Sequence, residues 1–188
     1  MLAGSMAATS AEDAPTKATV DKPVRDFKLK DVMSEKETSV TLSELKGKTV
    51  VLFFVSDKCS VTWGYEKRTG ELIAECKKKG VVFLGIRSSA ADSAEDIKKY
   101  AEAKNFDVPI LYDDRNVVAD YFGARFTPLY AVIDKEGVLR YYGAFDDLQT
   151  PTTWRQKADA AKSQYAREAL DAVLGGKEVA TKLTKGYG

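Results

Sequence analysis

Two apolar patterns recur along the chain and predict its elements. Val50 to Val55 is an unbroken apolar run, and Val81 to Ile86 a second one interrupted only by Gly85. Both are too short and too rich in β-branched and aromatic residues for helices, so each predicts a strand buried on both faces, as in the middle of a parallel sheet. Shorter stretches at Val108–Tyr112, Leu129–Ile133 and Val138–Tyr142 predict three more strands, the last two joined as a hairpin through Asp134-Lys135-Glu136-Gly137. Upstream, Phe27 and Leu29 alternate with Lys28 and Lys30, and Val40 and Leu42 with Thr41 and Ser43, which predicts a hairpin followed by a short turn closed at Gly47. Helical spacing covers Thr62–Lys79, Asp92–Asn105 (opened by Asp92 or Ser93) and Asn116–Phe122 (ended by Gly123). A last helix is expected from about Thr153 to Leu174, with Trp154, Ala158, Ala161, Tyr165, Ala169 and Val173 on one face and a stop at Gly175-Gly176. Strands alternating with helices and closing in a hairpin imply an α/β domain with a mixed central sheet covered on both faces.

Residues 1–20 show no period and predict a mobile tail before a domain at 21–150 and a C-terminal helix and tail at 151–188. Leu2 to Ala11 also has the composition of the end of a secretory signal, with A-T-S-A as a small-residue cleavage site. Export to a periplasmic or extracellular space therefore stands beside a cytoplasmic location with a disordered leader. The 188 residues, 44% of them hydrophobic, suit one domain with a real core. Lys and Arg number 29 against 28 Asp and Glu, a net charge of +1, so no basic imbalance points to nucleic acid. No apolar run approaches the roughly 18 residues that span a bilayer.

The chain contains no histidine. That removes Ser-His and Cys-His dyads and the common zinc and haem ligand sets. With two cysteines, Cys59 and Cys76, a disulfide scaffold or a four-thiolate metal site is excluded as well, and no metal or organic cofactor is expected. Thiol chemistry is the main option left. Cys59 lies between the central strand and a helix, where unpaired backbone N–H groups and the positive helix end favour a thiolate. Lys58 and the hydroxyls of Ser56 and Thr62 are placed to assist. Cys76, 17 positions later on the same helix, would be about 25 Å away, beyond the roughly 7 Å between Cα atoms that a disulfide tolerates. Its spacing from Leu72 and Ile73 marks it as a small buried hydrophobe.

V-V-L-F-F-V-S-D-K-C-S-V-T (residues 50–62), F-T-P-L-Y-A-V-I-D (126–134) and the insertion Ser88–Arg125 with Y-A-E-A-K-N-F-D-V-P-I-L-Y-D resemble the thioredoxin-like superfamily, in its redoxin or AhpC/TSA (peroxiredoxin-like, thiol-specific antioxidant) branch. The resemblance covers about residues 22–178 and implies a three-layer sandwich with an N-terminal hairpin and an extra C-terminal helix. It places Cys59 at the reactive-cysteine position and implies a cis bond before Pro128, facing the cysteine. The chain departs from both standard patterns. Thr62 stands where a dithiol C-x-x-C would have its second cysteine, Ser60 where many relatives have proline, and Leu52 where a peroxiredoxin P-x-x-x-T-x-x-C has proline. The peroxiredoxin arginine falls at or beside Pro128, leaving Arg125 and Arg87 as the nearest substitutes. Similar proteins often carry a further cysteine beyond the region of Gly188.

The candidate site is therefore Cys59, Thr62, Pro128 and Arg125. Thr62 either bonds the thiolate or caps the helix with Ser60. Trp63 either shields the cysteine or anchors the helix in the core, with packing the expected role. Arg125 either stabilises a thiolate or peroxide or forms a surface ion pair. Asp26 and Glu44 are read as solvated charges rather than proton acceptors. The function implied is a redoxin-type thiol oxidoreductase acting through Cys59 alone. It would reduce small peroxides or exchange with protein or low-molecular-weight thiols and disulfides, with a thioredoxin- or glutathione-like reductant. A thiol–disulfide binding module and a catalytically silent thioredoxin-like domain are the alternatives.

Overall fold

The computed structural model describes residues 16–36, 38–88, 93–148 and 160–186. Its centre is the strand expected from the first apolar run. β3 (Val50–Phe54) lies between β4 (Val82–Arg87), paired in parallel, and β6 (Leu129–Ile133), paired antiparallel. β5 (Ile110–Tyr112) adds in parallel beside β4, and β7 (Leu139–Gly143) antiparallel beside β6. The early hairpin, β1 (Lys28–Asp31) and β2 (Ser39–Thr41), attaches through β1 to the far side of β5, giving the seven-stranded order β2-β1-β5-β4-β3-β6-β7. β5 begins two residues later than expected, at Ile110, because Pro109 has no N–H to give the ladder.

Alternation along the strands divides the core into two layers. Val51, Phe53 and Val55 face helices α1 (Ser60–Lys78), α2 (Ala94–Ala103) and α4 (Tyr165–Leu174). Val50, Leu52 and Phe54 face α3 (Val117–Phe122) and the 3-10 turn at Leu42–Leu45. Every residue of β3 and β6 is buried, as strands covered on both faces require. Of the expected tail, 16–20 lie among the described residues, and there Ala18 and Val20 already pack on the second layer, with the Ala18 N–H donating to Tyr121 O.

Helix ends follow local chemistry. Ser93 and Asp96 form a reciprocal capping box at the start of α2. Gly123, with φ +63°, ends α3 in the left-handed region. The last helix is shorter than its apolar spacing predicts. Residues 162 and 163 are held instead by the loop after β7, the Lys162 N–H donating to Asp147 Oδ1 and the Asp147 N–H to Ser163 O, while the Gln164 N–H donates to Glu168 Oε1 and α4 begins at Tyr165. Ala161 is therefore not helical, and Trp154 and Ala158 lie outside the described residues. Ala166, Ala169 and Leu170 form the buried face.

Candidate active site

β3 ends at Phe54, and the chain turns through Ser56, Asp57 and Lys58 before α1 opens. The turn is closed locally: the Ser56 hydroxyl accepts from the Lys58 N–H at 3.2 Å, and the Ser56 carbonyl from the Cys59 N–H at 3.3 Å. Cys59 is the residue just before the first helical turn, with extended backbone, and its sulfur is partly exposed. Directly opposite is the segment entering β6. The Thr127–Pro128 bond is cis, and the Cys59 thiol donates to Thr127 O at 3.1 Å.

Burial of the sulfur works against a charge, but the surrounding donors outweigh it and hold the thiol below the ordinary cysteine range. They are the Thr127 side chain, the backbone N–H groups of Thr62 and Val61, and the Thr62 side chain. Thr62 is 1% exposed, and its hydroxyl has no hydrogen-bond partner among the described residues. A thiolate supplies the missing acceptor. Cys76 has the opposite setting: burial, with Glu75 beside it, pushes its thiol up to about 12. It lies fully buried with Leu72 and Ile73, and both cysteines are free.

Cys59, Thr62 and the Thr127–Pro128 turn are brought together. Arg125 is exposed and forms no ion pair among the described residues. Trp63 does not take the packing role expected of it: it is 49% exposed, and its indole N–H donates to Asp57 O at 2.8 Å, tying the first turn of α1 to the loop. Phe126, which precedes Thr127 in the chain, is also exposed. Ser56 is used within the turn. Asp26 accepts from the backbone N–H and hydroxyl of Ser43 and caps the 3-10 turn, in the segment preceding β3.

The sequence offered Arg87 only as a substitute for the peroxiredoxin arginine; its pairing with Asp57, and a second polar cluster, escaped it. Arg87, the last residue of β4, is buried and places Nη2 2.6 Å from Asp57 Oδ1. A charge ending an otherwise apolar strand was the available signal. Tyr65, Arg68 and Asp146 form a second buried polar cluster against the loop after β7, where the Tyr65 hydroxyl donates to Asp146 Oδ1 at 2.9 Å and Arg68 pairs with Oδ2. No spacing in the sequence joins those three. Among the described residues no group of His, Cys, Asp and Glu is placed to hold a metal ion, and no helix is long and apolar enough to cross a membrane. A cavity of about 650 Å³ lies at the opposite end of the sheet, lined in part by the paired charges Asp21, Asp134, Arg140 and Lys182.

The AhpC/TSA family model matches residues 20–142, which contain the whole of this site. The chain belongs to the AhpC/TSA family. Its thioredoxin-like fold is shared with an uncharacterized conserved protein of Geobacillus kaustophilus, at TM-score 0.77 and 28% identity over 89% of this chain and 88% of that one. It is also shared with a pneumococcal exposed lipoprotein thioredoxin, at TM-score 0.53 and 30% identity over 62% and 87% of the two chains. The thioredoxin-like protein YneN of Bacillus subtilis is 29% identical over 115 residues, 61% of this AhpC/TSA chain and 65% of that protein's length.

Proposed function

We propose that this AhpC/TSA protein is a single-cysteine thiol–disulfide oxidoreductase in which the Cys59 thiolate is the nucleophile. The observation that carries the reading is the partly exposed Cys59 sulfur, 3.1 Å from Thr127 O at the cis Pro128 and held below the usual thiol range by nearby donors. In the exchange step the thiolate attacks one sulfur of a substrate disulfide. A Cys59–substrate mixed disulfide forms, and the other substrate sulfur leaves as a thiolate. A second thiol, from a protein or a small molecule, then attacks the mixed disulfide and returns Cys59 to the thiolate. Thr62 supports the negative sulfur before the attack and again when Cys59 is released.

Exchange is favoured over peroxide reduction because the main groups that hold the Cys59 thiol low are threonine side chains and backbone N–H groups rather than a guanidinium. The Arg87 side chain pairs with Asp57, and Arg125 is exposed. Exposed Trp63 and Phe126, in the segments that carry Cys59 and Thr127, suit a protein substrate. The small-residue start of the chain, and a relative named as an exposed lipoprotein, support export to a compartment where disulfides persist.

The test uses a Cys76→Ala variant, so that only Cys59 reports. Its thiol pKa is measured by alkylation against pH, and its reactions with hydrogen peroxide and with a mixed peptide disulfide are timed separately. A pKa below the ordinary value with fast mixed-disulfide formation and slow sulfenic acid formation is expected. Fast sulfenic acid would move the assignment to a peroxidase, and an ordinary pKa with slow reaction in both would end the enzyme reading.

A further inference from the structure

The loop that presents Cys59 contains one carboxylate, Asp57, separated from the cysteine by Lys58 alone. A bare carboxylate there would oppose a thiolate. It is instead gripped from three directions. Arg87 Nη2 from β4 lies 2.6 Å from Oδ1, Lys58 Nζ lies 3.4 Å from Oδ2, and the Trp63 indole holds the Asp57 carbonyl at 2.8 Å. The two cations are not equivalent. The Lys58 side chain is 66% exposed and screened by water, whereas the Arg87 side chain is 2% exposed. Arg87 also reaches back to Val55 O at 3.4 Å, so one guanidinium spans the end of β3 and the loop that follows it.

Among the described residues, the other charged and titratable groups around this loop come from α1 and α2. Glu66 is paired with Lys104 at 2.8 Å and accepts from the Tyr100 hydroxyl at 3.1 Å. Tyr100 is held protonated by burial, by the charges of Glu66 and Asp57, and by its bond to Glu66, with Arg87 opposing. Asp96 feels Lys58 across the surface. Glu66 is thus already neutralised, and Asp57 is the carboxylate whose charge is left to Arg87.

We propose that Arg87 is a positioning residue for Cys59, acting through Asp57: it fixes the loop against the sheet and cancels the carboxylate that would otherwise raise the thiol pKa. This rests on the reading of Cys59 as the reactive thiol. The two halves of the pair then have opposite effects on the sulfur. Removing Arg87 exposes the thiolate to a negative charge, and removing the Asp57 charge exposes it to a positive one. A pair that merely tied the loop down would, on loss of either partner, loosen the same site in the same way.

The experiment measures the Cys59 pKa by alkylation in the Cys76→Ala protein and in Arg87→Met, Asp57→Asn and the double variant made on it. Arg87→Met is expected to raise the pKa and Asp57→Asn to lower it, each by about half a unit or more, with the double variant returning to the parent value. Shifts of the same sign, or none, overturn the proposal. Should Arg87→Met not fold, Asp57→Asn decides, because its amide oxygen still accepts from Arg87 and leaves the geometry in place. A lowered pKa supports the proposal, and an unchanged or raised one overturns it. The parent's own pKa tests Cys59 as nucleophile, whereas the signs of the differences test Arg87, so the two readings fail separately.

Discussion

Cys59 and Cys76 share one helix and differ in what surrounds the sulfur. The first has hydrogen-bond donors and some access to water, and the second has a sealed apolar shell. Iodoacetamide at neutral pH should therefore modify Cys59 alone, and Cys76 only after unfolding, which peptide mass mapping will show. The pH dependence of stability follows from the two directions. Cys59 is depressed in the folded state, so its contribution is present above the ordinary value of 9.0 and is lost as pH falls through the folded pKa. Cys76 is raised to about 12, so its contribution is present below 9.0 and is lost as pH climbs from there towards 12. A Cys76→Ala protein should lose the second limb in denaturant titrations run across the alkaline range. Thr62→Val should raise the Cys59 pKa and slow its alkylation at neutral pH while leaving the melting temperature level or slightly higher, since the hydroxyl it removes is buried without a partner among the described residues. The burial of Cys76 was legible from its helical spacing. The exposure of Trp63 was not, because spacing marks a face of the helix and does not say where the neighbouring layer stops.

α1 is joined to the loop after β7 by a buried ion pair rather than by apolar contacts alone. Arg68 stacks its guanidinium 4.0 Å from the centre of the Tyr65 ring and pairs with Asp146, both side chains almost wholly buried. Burial pushes the Asp146 carboxyl up, and Arg68 and the donors from Tyr65 and Leu148 oppose it. Arg68→Met leaves that carboxylate unpaired and should cost about 3–5 kcal/mol in urea unfolding, whereas Arg68→Met with Asp146→Leu should cost clearly less. At the edge of the sheet, β7 is covered by the C-terminal segment through the Tyr142–Leu183 bridge. Gly143 makes this possible: its φ is +151°, and a Cβ there would fall 2.6 Å from the Thr184 carbonyl. Thr184 in turn holds the Ala144 N–H at 2.9 Å and the Tyr141 hydroxyl at 2.7 Å. Gly143→Ala should therefore release residues 182–184, seen as faster amide exchange at Tyr142 and Thr184. The early start expected for α4 fails for a related reason. Side-chain and backbone bonds from Asp147 claim Lys162 and Ser163, and helical periodicity carries no information about such a competitor.

The sheet separates two polar regions that composition alone cannot tell apart. The thiol lies where β3 ends and β6 begins, and the Asp21–Arg140–Asp134 and Lys182 cluster lies at the opposite end. Lys182→Ala, at a largely solvated pair, should change stability by under about 1 kcal/mol and leave Cys59 alkylation unchanged. An effect on the thiol would mean that the two ends communicate through the sheet. The placement of the N-terminal hairpin belongs to the same level. Its two strands were readable from alternation, but its docking on β5 was not, since any open edge offers the same backbone groups.

Local sequence was enough for most of the strands and helices, the strand-to-helix position of Cys59 and the burial of Cys76. Each depends on residue type at short spacing: β-branched runs, helical periods, a cysteine at a strand-to-helix junction. Arg87 against Asp57, Arg68 against Asp146 and Thr127 against Cys59 join residues 30, 78 and 68 positions apart. No short-range pattern encodes such distances. They arise when parallel and antiparallel pairing around β3 brings the ends of β4, β6 and β7 to one side of the sheet, and there the electrostatics of the thiol are set.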